Sequence, residues 1–141
     1  KAARAELDAL ESPPLLIAVT VLTSASKKEL EDMNVFNTVE QQVCTLAAMA
    51  KKCGLDGVVC SAREVAVLRE KLGTDFVLVT PGIRPAKSDN NDQKRVVTPE
   101  EAIGMGSDFL VIGRPVTQSA DPVKSLLTIN ESISYIPDST K

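Results

Sequence analysis

Two stretches of this chain run a short apolar strand into a glycine, an arginine and a proline. The first is Leu78-Val79-Thr80-Pro81-Gly82-Ile83-Arg84-Pro85, and the second is Phe109-Leu110-Val111-Ile112-Gly113-Arg114-Pro115. Glycine lets a ligand approach the backbone closely. The arginine guanidinium is a planar fork of donors that matches a phosphate. Either arginine alone reads as an exposed loop residue. Their recurrence in the same local setting points to a phosphate grip made of Arg84, Arg114 and the backbone at Gly113. Thr23, Ser61 and Thr80 also close apolar runs, so they too fall at strand ends. Ser61 reads first as a helix N-cap. Thr23 reads equally as a turn residue or as a ligand-facing hydroxyl.

The rest of the composition narrows the chemistry. The chain has 141 residues, 43% apolar and 25% charged, which suits one ordinary domain. There is no histidine, so His-based triads and His-rich metal sites are excluded, and acid–base work would fall to Lys, Asp, Glu or Cys. A net charge of -3 argues against a general nucleic-acid surface. An anionic small molecule stays allowed, because its capture depends on local charge. Cys44, Cys53 and Cys60 form no CxxC pair, and an odd count suits a reducing compartment. No apolar run is long enough to span a bilayer, and no signal-peptide pattern is present. Asp89 and Asp92 read as solvated turn residues, and Asp56 and Asp108, just ahead of strands, as structural. The pairs Lys27-Lys28 and Lys51-Lys52 read as solvated surface.

Positioning the strand-end residues takes an alternation of strands and helices. An opening helix over 1–10 leads to a break at Glu11-Ser12-Pro13-Pro14. The apolar run 15–22 predicts the first strand. Lys27 to Asp32 predicts a helical turn. Thr38 and Gln41 form a capping-box pattern ahead of a helix over 39–52. Strands follow at 58–60, 75–80 and 108–112, with helices at 62–72, from Thr98-Pro99 to about Gly104, and at 122–133. Gly73 closes the helix 62–72. The loop from Arg84 to Val96 exceeds an ordinary βα connection and reads as a lid or as a disordered insertion. The tail from Ser134 reads as frayed.

One helix followed by four βα units predicts an α/β fold with a parallel sheet whose strands are covered on both faces. A doubly wound sheet and part of a (β/α)8 barrel both fit. The lack of Gly-x-Gly-x-x-Gly after the first strand weakens the former. The phosphate-type turns follow the last two strands, where many barrels carry a phosphate site. A full barrel needs about 250 residues, so the 141 residues are expected to be the C-terminal four units of one, in a single domain 1–141. The chain opens inside a helix, which fits that expectation.

At this point the motifs resemble a known family. LLIAVTVLTS at 15–24, CGLDGVVCSAREV at 53–65, LVTPGIRP at 78–85, DQKRVVTPEEAI at 92–103 and VIGRPVTQSADP at 111–122 resemble the C-terminal half of bacterial orotidine 5'-phosphate decarboxylases. TPGIRP and IGRP alone have echoes in other phosphate-binding barrels; the set, in order and nearly end to end, is specific. The resemblance implies a (β/α)8 barrel that converts orotidine 5'-phosphate (OMP) to UMP and CO2 in pyrimidine synthesis, without metal or organic cofactor. It implies a cytoplasmic homodimer with active sites at the dimer interface, acting on a nucleotide and on neither nucleic acid nor membrane. Residue by residue, Thr23 would hydrogen-bond the pyrimidine, and Arg84 and Arg114 would hold the phosphate beside the Gly113 backbone. Gln93 would lie on the lid and bridge both ends, and Pro81 would pack near the base. The family's Asp-Lys-Asp-Lys network is absent from these residues, so no catalytic residue is expected in this chain, and the 141 residues alone are expected not to turn over. Two other readings stay open: another phosphate-binding barrel isomerase or synthase, and a non-catalytic nucleotide-binding half-barrel that needs a partner chain.

Overall fold

Among the described residues, four strands pair in parallel and in chain order: β1 (Ile17–Val19), β2 (Gly57–Val59), β3 (Val77–Pro81) and β4 (Phe109–Val111). The computed structural model describes residues 1–85 and 97–134. The expectations for Gln93, Asp89, Asp92 and most of the long loop, and for the tail from 135, lie outside the described residues. Helices α1 (Ala2–Asp8), α2 (Lys27–Asp32), α3 (Val39–Lys52), α4 (Val65–Leu72), α5 (Pro99–Gly104), α6 (Arg114–Thr117) and α7 (Pro122–Ser134) complete the order, with a 3-10 turn at Ala62–Glu64. The sheet never reverses its order, as it would at the switch point of a doubly wound fold. This is the winding of a barrel sector.

The helix starts follow local side-chain chemistry. Thr38, Ser61 and Thr98 each accept a hydrogen bond from the first turn of the element they open. The side chains of Gln41, Glu64 and Glu101 in turn accept one from the backbone N–H of those caps. Such reciprocal capping satisfies donors that a helix start otherwise leaves open. The face of α3 that carries Val43, Ala47 and Ala50 is buried, and it meets Val58, Cys60, Val65, Leu68 and Leu78 in the main core cluster. A second cluster joins Ala62, Ile83 and Ala102, directly behind the strand ends. The lysine pairs are exposed, as the solvated reading expects, and two of these lysines make surface contacts. Lys51 donates to the Leu72 carbonyl oxygen and sits 5.8 Å from the Phe76 ring centre. Lys27 pairs with Glu31 at 3.3 Å.

The N-terminal ends of the strands are stapled by carboxylates, as the structural reading of Asp56 and Asp108 anticipates. Asp56 accepts from the Leu16 N–H at 2.6 Å and from Arg4 at 3.0 Å. Asp108 accepts from the Leu78 N–H at 2.7 Å and pairs with Arg69. Arg69 also donates to the carbonyls of Gly73, Thr74, Phe76 and Gly106. Between β2 and β3 the backbones come so close that a Cβ on Gly57 would lie 2.2 Å from the Val77 carbonyl oxygen.

Two differences from expectation have one cause each. The first strand is shorter than the apolar run 15–22. The last backbone bond from this strand to β2 is the Thr20 N–H to the Val59 carbonyl (3.3 Å), an oxygen the Thr20 hydroxyl also bonds (2.8 Å), and beyond it the chain turns toward the cleft. The strands are also not covered on both faces. Register places Val19, Val59, Val79 and Phe109 in one row, and Val19 and Phe109 are 60% and 55% exposed. The helices cover the other face. In a closed barrel the inner row packs on strands across the barrel, and four strands make only part of that wall.

Candidate phosphate and base site

The ligand face of a barrel sector is the C-terminal end of its strands. Here a cleft of about 710 Å³ opens there, walled by Thr23 and Ser24 beyond β1, Ser61 beyond β2, and Pro81-Gly82-Ile83 at the end of β3. Three loops that are far apart in sequence thus meet at one place. Glycine is required at position 82, where φ is +79°, a conformation that side chains with a Cβ disfavour. The Gly82 turn lets the chain leave β3 and bury Ile83, which is 1% exposed. Arg84 follows at once. Its N–H donates to the Val97 carbonyl at 3.1 Å, and its guanidinium donates to the Ile83 carbonyl at 3.0 Å. Ile83 and Val97 form a parallel bridge, so the residues either side of the long connection are tied together.

The second arginine follows the neighbouring strand at the same sequence offset. Pro81 pairs with Val111 across β3 and β4. Arg84 and Arg114 each lie three residues beyond that pair, on neighbouring strand ends. Gly113 is the N-cap of the short helix α6, and nothing lies within 4 Å of where its Cβ would be. A ligand oxygen can therefore reach the Gly113 backbone without meeting a side chain. Gly113 and Arg114 are both exposed. Neither arginine is among the described walls of the cleft that holds Thr23; they occupy the adjoining strand ends. The strand ends thus carry a cleft lined by Thr23, Ser61 and Pro81, with Arg84 and Arg114 beyond β3 and β4. Gln93 lies outside the described residues.

Two of the hydroxyls at strand ends have other duties. Ser61 lines the cleft, but its Oγ accepts from the Arg63 N–H, and its own N–H donates to Glu64 at 2.6 Å, as the N-cap reading expects. Thr80 points away from the ligand face; it is fully buried and hydrogen-bonds Ser107 at 2.8 Å. Sequence reasoning passed over Glu40 and Arg63, which also wall the cleft. Glu64 is there too, with its carboxyl held above the usual carboxylate range by burial, against the opposing pull of the Ser61 N–H and the charge of Arg63. The Ser-x-x-Glu spacing was the available signal for Glu64. The short helix α6 was missed because Gly-Arg-Pro reads as a loop.

Comparison with known proteins identifies the family. The family model "Orotidine 5'-phosphate decarboxylase / HUMPS family" matches residues 1–129. An orotidine 5'-phosphate decarboxylase of Idiomarina loihiensis is 58% identical over 132 residues, which cover 94% of this chain and 57% of the relative. One from Chromobacterium violaceum is 53% identical over 134 residues, covering 95% and 54%. The chain thus spans about half the length of the curated relatives it matches. The crystal structure of the Lactobacillus acidophilus orotidine 5'-phosphate decarboxylase superposes with a TM-score of 0.76 at 43% identity, over 89% of this chain and 51% of that one. The Pyrococcus horikoshii enzyme, 14% identical, shares the fold with a TM-score of 0.63, over 88% and 53%. These neighbours are (β/α)8 barrels, and the chain supplies part of one. With a match that runs through both glycine–arginine strand ends, the chain belongs to the orotidine 5'-phosphate decarboxylase / HUMPS family.

Proposed function

We propose that this chain is the phosphate- and base-binding half of an orotidine 5'-phosphate decarboxylase, which converts OMP to UMP and CO2. The observation that carries the reading is the equal offset of Arg84 and Arg114 beyond the Pro81–Val111 pair, next to the cleft that holds Thr23. Two guanidinium groups and the Gly113 backbone hold the 5'-phosphate. Thr23 hydrogen-bonds the pyrimidine, Pro81 packs near it, and Gln93 bridges the base and phosphate ends. The working protein is a cytoplasmic homodimer that needs no metal or organic cofactor.

Loss of CO2 from C6 of the pyrimidine leaves an electron pair on a carbon that stabilises it poorly. Binding energy helps only where it is greater in the transition state than in the ground state. A phosphate held firmly at one end allows binding energy to be used at the reacting end, and exclusion of water there strengthens the electrostatics. The lysine that protonates C6 and its partner carboxylates are assigned to residues outside this chain. The 141 residues alone are expected to release no CO2 from OMP; measurable release would overturn that assignment.

Titration of the gene-encoded protein with UMP, uridine and ribose 5-phosphate tests the reading. UMP is expected to bind about 10²-fold tighter than uridine, the scale of two charge-assisted contacts. Arg114→Ala should remove most of that advantage and leave uridine binding unchanged. Ribose 5-phosphate binding as tightly as UMP would instead favour a sugar-phosphate enzyme on the same barrel.

A further inference from the structure

Thr80 and Ser107 are the two buried polar or charged residues among the described residues, and they bond each other. Thr80 is 0% exposed and Ser107 is 5% exposed. The Cys60 thiol adjoins the same pair and interacts with the Thr80 hydroxyl; burial pushes that thiol up to about 12. Cys60 follows β2, Thr80 is near the end of β3, and Ser107 precedes β4. Register sets Val59 against Val79, so Cys60 and Thr80 are neighbours on the helix-facing side of the sheet. A short row of polar groups therefore crosses three strands inside an otherwise apolar layer, behind the ends that carry the site.

An apolar pair of the same shape would fill this space without the desolvation that two hydroxyls cost. What a hydroxyl pair adds is direction: a hydrogen bond fixes distance and angle where dispersion contacts allow sliding. The position of the pair shows what that direction would control. Thr80 comes immediately before Pro81, Gly82, Ile83 and Arg84. At the far side of this turn, Ile83 is buried and bridged to Val97, and the Arg84 N–H is bonded to the Val97 carbonyl. Ser107 ties back to the same region, because its N–H donates to the Ala102 carbonyl of α5, which begins just after Val97. The turn that presents Arg84 is thus held at its start by Thr80–Ser107 and at its end by Ile83–Val97.

We propose that Thr80 and Ser107 are positioning residues for the phosphate grip. Their buried hydrogen bond sets the height of Arg84 relative to Arg114, so that both guanidinium groups meet one phosphate. The inference rests on the reading of Arg84 and Arg114 as phosphate ligands. Neither hydroxyl touches substrate.

The test uses the gene-encoded protein, with UMP and uridine as probes and thermal unfolding measured alongside. Thr80→Val keeps the shape and removes the hydroxyl. It should cut the UMP-to-uridine affinity ratio about tenfold, on the scale expected for a small misplacement of a binding group, with uridine affinity unchanged. Thr80→Ser, which restores the hydroxyl, should recover the ratio. Ser107→Ala should reproduce the loss, and it serves as the deciding variant if Thr80→Val does not fold. A lower melting temperature with the wild-type ratio in Thr80→Val or Ser107→Ala would overturn the proposal and leave the pair a packing feature. If wild-type protein shows no preference for UMP over uridine, the phosphate reading itself fails, and the two failures are told apart.

Discussion

Arg84 and Arg114 look alike in the sequence, yet the structure gives them different surroundings. Arg84 is half-buried and bound through its backbone to Val97, whereas Arg114 is exposed at the start of α6. A half-buried, backbone-anchored cation loses less freedom on binding an anion. Arg84→Ala is therefore expected to cost more UMP affinity than Arg114→Ala, each in the range of about ten- to a hundredfold, and competition binding at low salt checks the order. Glu64 makes a second prediction at this scale. Its carboxyl is raised from 4.5 by burial, so in that window the folded chain binds more protons than the unfolded one. Stability from this group is present below 4.5 and declines as pH rises through the raised value. Glu64→Gln should therefore gain on the wild type as pH rises from 4 to 7, measured by denaturant unfolding; a constant difference across that range would contradict the assignment. The positions of the arginines and of Thr23 beyond strand ends were legible from the apolar runs that precede them. The duty of Thr80 was not, because at the end of a strand a hydroxyl faces ligand or helix according to a one-residue alternation.

Elements obeyed local chemistry where local chemistry decides. Thr38 and Gln41, Thr98 and Pro99, and Ser61 and Glu64 each announced a helix start that the structure keeps. Thr98→Ala should cost about 1 kcal/mol by loss of its cap. The staples at the strand N-termini were legible only as structural aspartates, because their partners are remote. Asp108 meets Leu78 and Arg69 through the sheet and not through any sequence spacing. Arg69→Ala strands several carbonyls and the Asp108 carboxylate, and should destabilise by about 2–4 kcal/mol. Gly57→Ala drives a methyl against the Val77 carbonyl and should cost about 1–3 kcal/mol. Chemical denaturation of the three variants should give the order Arg69→Ala and Gly57→Ala below Thr98→Ala; equal stabilities would contradict the packing described here. The first strand came out shorter than its apolar run, since hydrophobicity marks burial and not the extent of strand pairing.

At the scale of the molecule, chain-order pairing of parallel strands was legible from the strand–helix alternation, and the exposed inner row was not. Periodicity reports that Val19, Phe109 and Val111 are apolar; it does not report whether the wall opposite them is present. Expressed as these 141 residues, the chain should bind a dye specific for apolar surface and self-associate, because a wide apolar row and two sheet edges are open. Sedimentation as a clean monomer without dye binding would contradict that. The central claim concerns the ends of these strands and is tested most directly by catalysis. Gene-encoded protein should convert OMP to UMP and CO2, and Arg84→Ala with Arg114→Ala should lower kcat/KM by about 10² or more. An absence of CO2 release from OMP by folded wild-type protein, or full activity in the double variant, would contradict the account.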